Sequence, residues 1–310
     1  MSWQAHDGLE FGHSASITRI SEQRPYREIP PILRTKFHLC SHSSEDTYTL
    51  LGLTKEKIND EVTALLQNTT RDWMINCSQN HEKCQLAQHF KEKSDSIPTR
   101  LIDVQSDNGD TVRLVDTKEE LAGTMQPVYL ILSYCWGAGN EAAKTTQNNY
   151  RQRKHQIVVR NLPKTIRDAI AVTRIMGIRY LWVDALCIIQ PADDDFLDDW
   201  NIEAAQMGSY YSNAQLCISA LSTSDSSDGF LRERHSARYP WREGEYLQHG
   251  ENFFSIKPPE EITPEPNIKF MPLMKRAWAL QERILSIRRL HWSMAGLLWE
   301  CDSGMFQENQ

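Results

Sequence analysis

No apolar run in the chain reaches the ~18 residues needed to cross a bilayer. The opening MSWQAHDGLEFGHSASITRI also lacks the apolar centre of a secretory signal. A soluble, cytoplasmic protein with no membrane span is therefore expected. There is no long basic run either, and 34 basic residues against 41 acidic ones give a net charge of −7. Nucleic acid is set aside as a partner, because neutralising phosphates needs clustered Lys and Arg. The locally basic RQRKHQIVVR at 151–160 reads as a solvated face. Neither G-x-G-x-x-G nor G-x-x-x-x-G-K-[ST] occurs, which removes the usual dinucleotide and P-loop phosphate cradles. The seven cysteines make no disulfide-like framework, and several sit inside apolar runs, as small core residues do in a reducing compartment.

What is present is the composition of a soluble globular chain: 310 residues, 40% hydrophobic and 24% charged. Residues 1–45 are polar and irregular and read as an arm. Residues 46–127 read as a helical and hairpin extension. Ile58, Val62, Leu65 and Leu66 share one helical stripe, and RLIDV, SDNGD and TVRLV spell a hairpin around Asn108-Gly109. Residues 128–310 read as the core, with a loop-rich insertion at 222–275 that includes the exposed KPPEEITPEP.

Within that core, VYLILSY (128–134), the segment at 179–184 and AQLCISA (214–220) are nearly continuous apolar runs. Between them stand LPKTIRDAIAVTRIMG, with Pro163 at its start and Gly177 at its stop, and DDDFLDDWNIEAAQMGSYY. Strand, helix, strand, helix, strand predicts an α/β fold with a mostly parallel central sheet flanked by helices. RAWALQERILSIRRLHW adds a C-terminal helix and strand. Ligands of such sheets gather beyond the carboxyl ends of the strands, where Ser133 and Asp184 fall.

Four motifs in order, YLILSYCWG, LPKTIRDAIAVTRIMGIRYLWVDALCIIQ, DWNIEAAQMGSYYSNAQLCISA and RAWALQERILSIRRLHW, resemble the fungal heterokaryon-incompatibility (HET) domain. PTRLIDV and DWMINCSQNHEKC resemble segments that often precede it. The resemblance implies a role in self/non-self recognition, in which the domain triggers programmed cell death. The HET family is in turn distantly similar to TIR domains of flavodoxin-like architecture, several of which cleave NAD with a glutamate a few residues after a tryptophan. That similarity puts Glu203, after Trp200 in DWNIE, forward as the catalytic carboxylate, with NAD as substrate and no prosthetic group. A death effector must be silent at rest, so activation by self-association is expected, with an incompatibility partner protein as a further candidate partner.

The residues admit plainer readings too. Phe196, Trp200, Met207 and Tyr211 make an apolar stripe with Glu203 at its margin, a place equally suited to a cleft or to an ordinary surface ion pair. Ser133 and Tyr134 can reach a ligand or brace their loop. Trp136 can stack on a nicotinamide ring or pack over the sheet. Asp184 can touch substrate or fix the next loop, with Gln190 tying it down. Arg276, Gln281, Glu282 and Arg283 read as a network clamping the C-terminal segment, with Glu282 as the alternative carboxylate. Cys77, His81 and Cys84 form C-x3-H-x2-C, three ligands without a fourth, so no metal is assigned. A non-enzymatic module that recruits a death partner is the competing function.

Overall fold

The computed structural model describes residues 38–42, 62–92, 96–105, 109–122, 126–191, 198–231, 246–249, 252–257, 268, 271–293 and 296–307. Most of the arm, Ile58, Asn108, Phe196 and the stretch 258–266 lie outside them. The chain forms two compact units, residues 1–54 with 234–266, and residues 55–233 with 267–310. The smaller unit holds an antiparallel sheet of β1 (His38–His42), β8 (Tyr246–His249) and β9 (Asn252–Lys257), in the order β1-β9-β8.

The larger unit is built on a nine-stranded sheet. Its helices and strands run α1 (Arg71–Asn80), α2 (Glu82–Glu92), β2 (Arg100–Asp103), β3 (Thr111–Asp116) and α3 (Thr117–Glu120). They continue with β4 (Tyr129–Ser133), α4 (Gln147–His155), β5 (Ile157–Val158), α5 (Lys164–Ile175), β6 (Tyr180–Trp182), α6 (Asp184–Cys187), α7 (Asp198–Asn213) and β7 (Leu216–Ser219). The last are α8 (Ala277–Leu285), β10 (Arg288–Ser293), β11 (Gly296–Cys301) and β12 (Gly304–Gln307). Helical backbone also precedes α1, with a π-helical stretch over Leu65–Thr70.

The expectation of a mostly parallel sheet needs correction. The strand order is β12-β11-β10-β7-β4-β6-β2-β3-β5, and only the pairs β10-β7, β7-β4 and β4-β6 are parallel. The other five pairings are antiparallel, so the sheet is largely antiparallel around a parallel centre. The reason is connection length. Parallel neighbours need a crossover, which α5 and α7 supply within β4–β6–β7 and the segment carrying α8 supplies between β7 and β10; the β2-β3, β10-β11 and β11-β12 links span only a few residues, which favours reversal of the chain. Gly109, at φ 89°, lies in the first of these links.

Apolar runs were legible because the central strands are covered on both faces. Every residue of β4, β7 and β10 is buried, whereas β12 at the edge is not. α5 packs on β4 and β6 through Ile166, Ala169, Ile170, Val172 and Thr173, a helical stripe ended by Gly177 at φ 72°. The segment at 179–184 is a strand only to Trp182, and Asp184 opens the short helix α6. No helix of the described residues is long and apolar enough to cross a membrane.

Candidate functional site

Polar side chains converge beyond the carboxyl ends of the parallel strands. Ser133, the last residue of β4, stands beside Ser219 of β7 and donates its hydroxyl hydrogen bond to Glu282 on the inner face of α8. Glu282 is 4% exposed. Burial pushes its carboxyl pKa up, against the Ser133 hydrogen bond and the charge of Arg276; the nearby negative charge of Asp184 adds to the rise. Arg276, capping α8, donates to the Tyr134 carbonyl. Tyr134 is buried, with its phenol donating to Asn140 at 3.0 Å.

Asp184 is half-buried at the start of α6. One carboxylate oxygen accepts the Trp136 indole N–H at 2.8 Å, and the other accepts the Ala185 N–H at 2.7 Å. Burial raises its pKa too, opposed by Arg276 and by the Trp136 bond. The carboxylate in an apolar segment is thus held at the strand's exit by donors, which offsets the cost of desolvating it. The Trp136 turn depends on Gly137 at φ 60°, where a Cβ would lie 1.8 Å from Asp225 Oδ2. Gln190 fixes the loop after α6, its N–H reaching the Thr145 carbonyl at 2.6 Å and its amide reaching that of Ile188 at 3.1 Å.

Glu203 belongs to a different cluster. It is 1% exposed, accepts the Tyr210 hydroxyl at 3.0 Å and lies 3.7 Å from Arg100. Arg100 is shared with Asp199 at 2.6 Å and donates through Nε to the Cys187 carbonyl at 2.6 Å. Burial raises the Glu203 pKa, while Thr99, Arg100 and Tyr210 work against the rise. Trp200 sits at the surface. The buried Cys187 thiol, pushed to about 12 by burial, senses both Glu203 and Asp184. The structure therefore brings Ser133, Tyr134, Trp136 and Asp184 together with Arg276 and Glu282, and sets Glu203 among Arg100, Asp199 and Tyr210.

The four-residue C-terminal network also divides. Arg283 faces Glu300 of β11 with two bonds of 2.8 Å, clamping α8 to the sheet. Gln281 is exposed. No pattern in the chain marks out Arg100 or Glu300, whose importance comes only from contacts between distant segments. The same holds for Cys301: it joins Cys77, His81 and Cys84, the four donor atoms lying within 4.8 Å of one another, and adds the fourth donor that the spacing lacked.

Residues 129–282 match the family described as Heterokaryon incompatibility protein (HET). No curated protein and no solved structure matches the chain.

Proposed function

The chain is a HET domain protein, its HET domain implies a role in heterokaryon incompatibility, and we propose that it performs this role by hydrolysing the nicotinamide–ribose bond of NAD on self-association. One observation carries the reading: two carboxyls, Glu282 and Asp184, both raised by burial, face one guanidinium, Arg276, beyond the parallel strands.

Departure of neutral nicotinamide breaks the C1′–N bond and leaves positive charge on the ribose, as in glycoside hydrolysis. The Glu282 carboxylate stabilises that charge in a site of low dielectric. Water then adds to C1′, and its proton passes to the carboxylate and on to solvent. The products are ADP-ribose, nicotinamide and a proton. Arg276 is the cation for the diphosphate, and Trp136 is the surface on which the nicotinamide ring stacks.

At rest the Ser133 hydroxyl occupies Glu282, the place a ribose hydroxyl must take. A death effector needs such silence. Trp278, Leu280 and Ile284 on the outer side of α8 are 55%, 59% and 65% exposed, and docking a second copy there would displace the helix that carries Glu282. Those three side chains also favour the alternative, a recruiting module without chemistry.

The test is nicotinamide release from NAD by the concentrated full chain. Glu282→Gln should lower it at least about 100-fold, the scale of losing one contact to developing charge. The acidic limb of the rate profile should lie above the ordinary carboxylate range, following the raised Glu282 pKa. Glu203→Gln, at the ion pair with Arg100, should mainly cost stability. Release unchanged by Glu282→Gln refutes the assignment of Glu282. Killing in a fungal host that survives this substitution but not Ile284→Asp supports the recruiting module.

A further inference from the structure

The C-x3-H-x2-C segment has a geometric use that the HET core does not absorb. His81 is the single non-helical residue between α1 and α2, with φ −102° and ψ 99°. Cys77 lies in the last turn before it and Cys84 in the first turn after it, so the elbow turns three donor atoms toward one point. Cys301, the final residue of β11, approaches from the opposite side, its Sγ 3.3 Å from His81 Nδ1. Cys77, Cys84 and Cys301 are buried and their thiols are free of disulfides.

The spacing fits a tetrahedral ion. Zinc bonds of about 2.3 Å to sulfur and about 2.0 Å to nitrogen put neighbouring donors roughly 3.5–3.8 Å apart. The four donors here all lie within 4.8 Å of one another, so closing on zinc requires only small side-chain adjustments. An outer shell is already in place. Arg288 donates through Nε to Cys77 Sγ at 3.3 Å, the Ser303 hydroxyl lies 3.7 Å from Cys84 Sγ, and the Asn76 amide is 3.4 Å from His81 Nε2. The His81 ring stacks on Phe306 at 5.9 Å, which fixes its plane. Three thiolates against a dication leave one negative charge, beside which Arg288 stands.

We infer that Cys77, His81, Cys84 and Cys301 hold a structural zinc ion that clasps the α1–α2 elbow to the β11–β12 hairpin. Three sulfurs and one imidazole select zinc over harder ions, and four protein ligands leave no position for substrate. Binding takes all three sulfurs as thiolates, any thiol proton leaving to solvent, and changes no oxidation state. All four ligands lie outside the matched segment 129–282, three before it and one after it, so the ion ties the two flanks of the HET core together.

The test uses the full chain without a polyhistidine tag, purified under reducing conditions. Elemental analysis should find one equivalent of zinc, and exchange with cobalt should give tetrahedral d–d absorption with thiolate-to-metal charge transfer. Cys301→Ser should lose most of the zinc. His81→Cys should keep it, with the cobalt bands shifted toward a four-thiolate set, and this variant stands in if Cys301→Ser fails to fold. Folded protein with substoichiometric zinc and no cobalt spectrum overturns the inference. Stoichiometric zinc in Cys301→Ser overturns it as well, as does a Cys77–Cys301 disulfide in protein alkylated at harvest.

Discussion

Replacing Glu300 by Gln tests the electrostatics of the clamp that seats α8. Glu300 accepts both Arg283 bonds at 2.8 Å, lies 2.7 Å from His291 Nε2 and is 3.4 Å from Arg289. Burial works to raise its pKa, but the His291 and Arg283 hydrogen bonds and the Arg289 charge outweigh it and bring the value from 4.5 down to about 2. His291 is itself buried, and burial holds its pKa below 6.5. It is therefore neutral at pH 7 and gives Glu300 an N–H donor but no charge, so the arginines carry the electrostatic part. At about 1.4 kcal/mol per pKa unit, with the shift discounted for the neutral histidine, Glu300 contributes roughly 2–3 kcal/mol at pH 7. Gln keeps the shape and removes the charge, taking the carboxylate from Arg283 and leaving Arg289 with Asp302 at 3.6 Å.

The sign follows from proton binding. Because the folded pKa is depressed, the unfolded chain takes the proton first as pH falls. The contribution is complete above about 4.5 and is lost on the way down to about 2. His291 adds to acid lability, since the unfolded chain charges it first below its ordinary 6.5. In urea unfolding followed by tryptophan fluorescence, Glu300→Gln should lose roughly 2–3 kcal/mol at neutral pH. The thermal midpoint should fall by roughly 4–12 °C. The gap should shrink steadily below pH 4.5. A variant within about 0.5 kcal/mol of the parent at pH 7 would refute the argument. So would a deficit that ignores pH.

Arg100→Met should be more damaging than Glu203→Gln, because it strands two carboxylates near Cys187, whereas the amide oxygen introduced by Glu203→Gln still accepts from Tyr210. We expect about 3–5 kcal/mol against about 1–2 kcal/mol in the same unfolding assay, and equal costs would show that Arg100 is not the keystone. Gly137→Ala should cost more than about 2 kcal/mol, since its Cβ would meet Asp225 at 1.8 Å and the backbone is strained for any L side chain. A neutral Gly137→Ala would mean that this turn relaxes freely.

What could be read from the sequence was what is local. The apolar runs of β4 and β7, the Pro163-to-Gly177 punctuation of α5 and the antiparallel β2–β3 pair each carry their signal within about twenty residues, and each lies where it was expected. The antiparallel margins were missed because strand direction depends on which edges the hairpins join, and periodicity is silent on that. Arg100 next to Glu203 and Glu300 next to Arg283 follow from tertiary contact alone. Cys301 is the extreme case, 220 residues from His81 and without a spacing rule to connect them. A C-x3-H-x2-C with no fourth ligand nearby is weak evidence in sequence and becomes a coordination shell only once the sheet closes.

These contacts also limit how α8 can move. Its C-terminal half is pinned by the two-bond Arg283–Glu300 contact, and Glu300 is the neighbour of Cys301. Its N-terminal end is held by Arg276 on the Tyr134 carbonyl, and Glu282, the neighbour of Arg283, is held by Ser133. Trp278 and Leu280 are exposed in that N-terminal half. Docking on Trp278, Leu280 and Ile284 therefore loads the adjacent Glu282 and Arg283 contacts together, and of the two the single hydrogen bond from Ser133 is the weaker, since the Arg283–Glu300 contact is a two-bond ion pair. Any conformational activation should accordingly break Ser133–Glu282 before Arg283–Glu300. Ser133→Ala, which removes the restraint without touching the clamp, should then raise basal nicotinamide release, whereas Arg283→Met should lower stability without raising release.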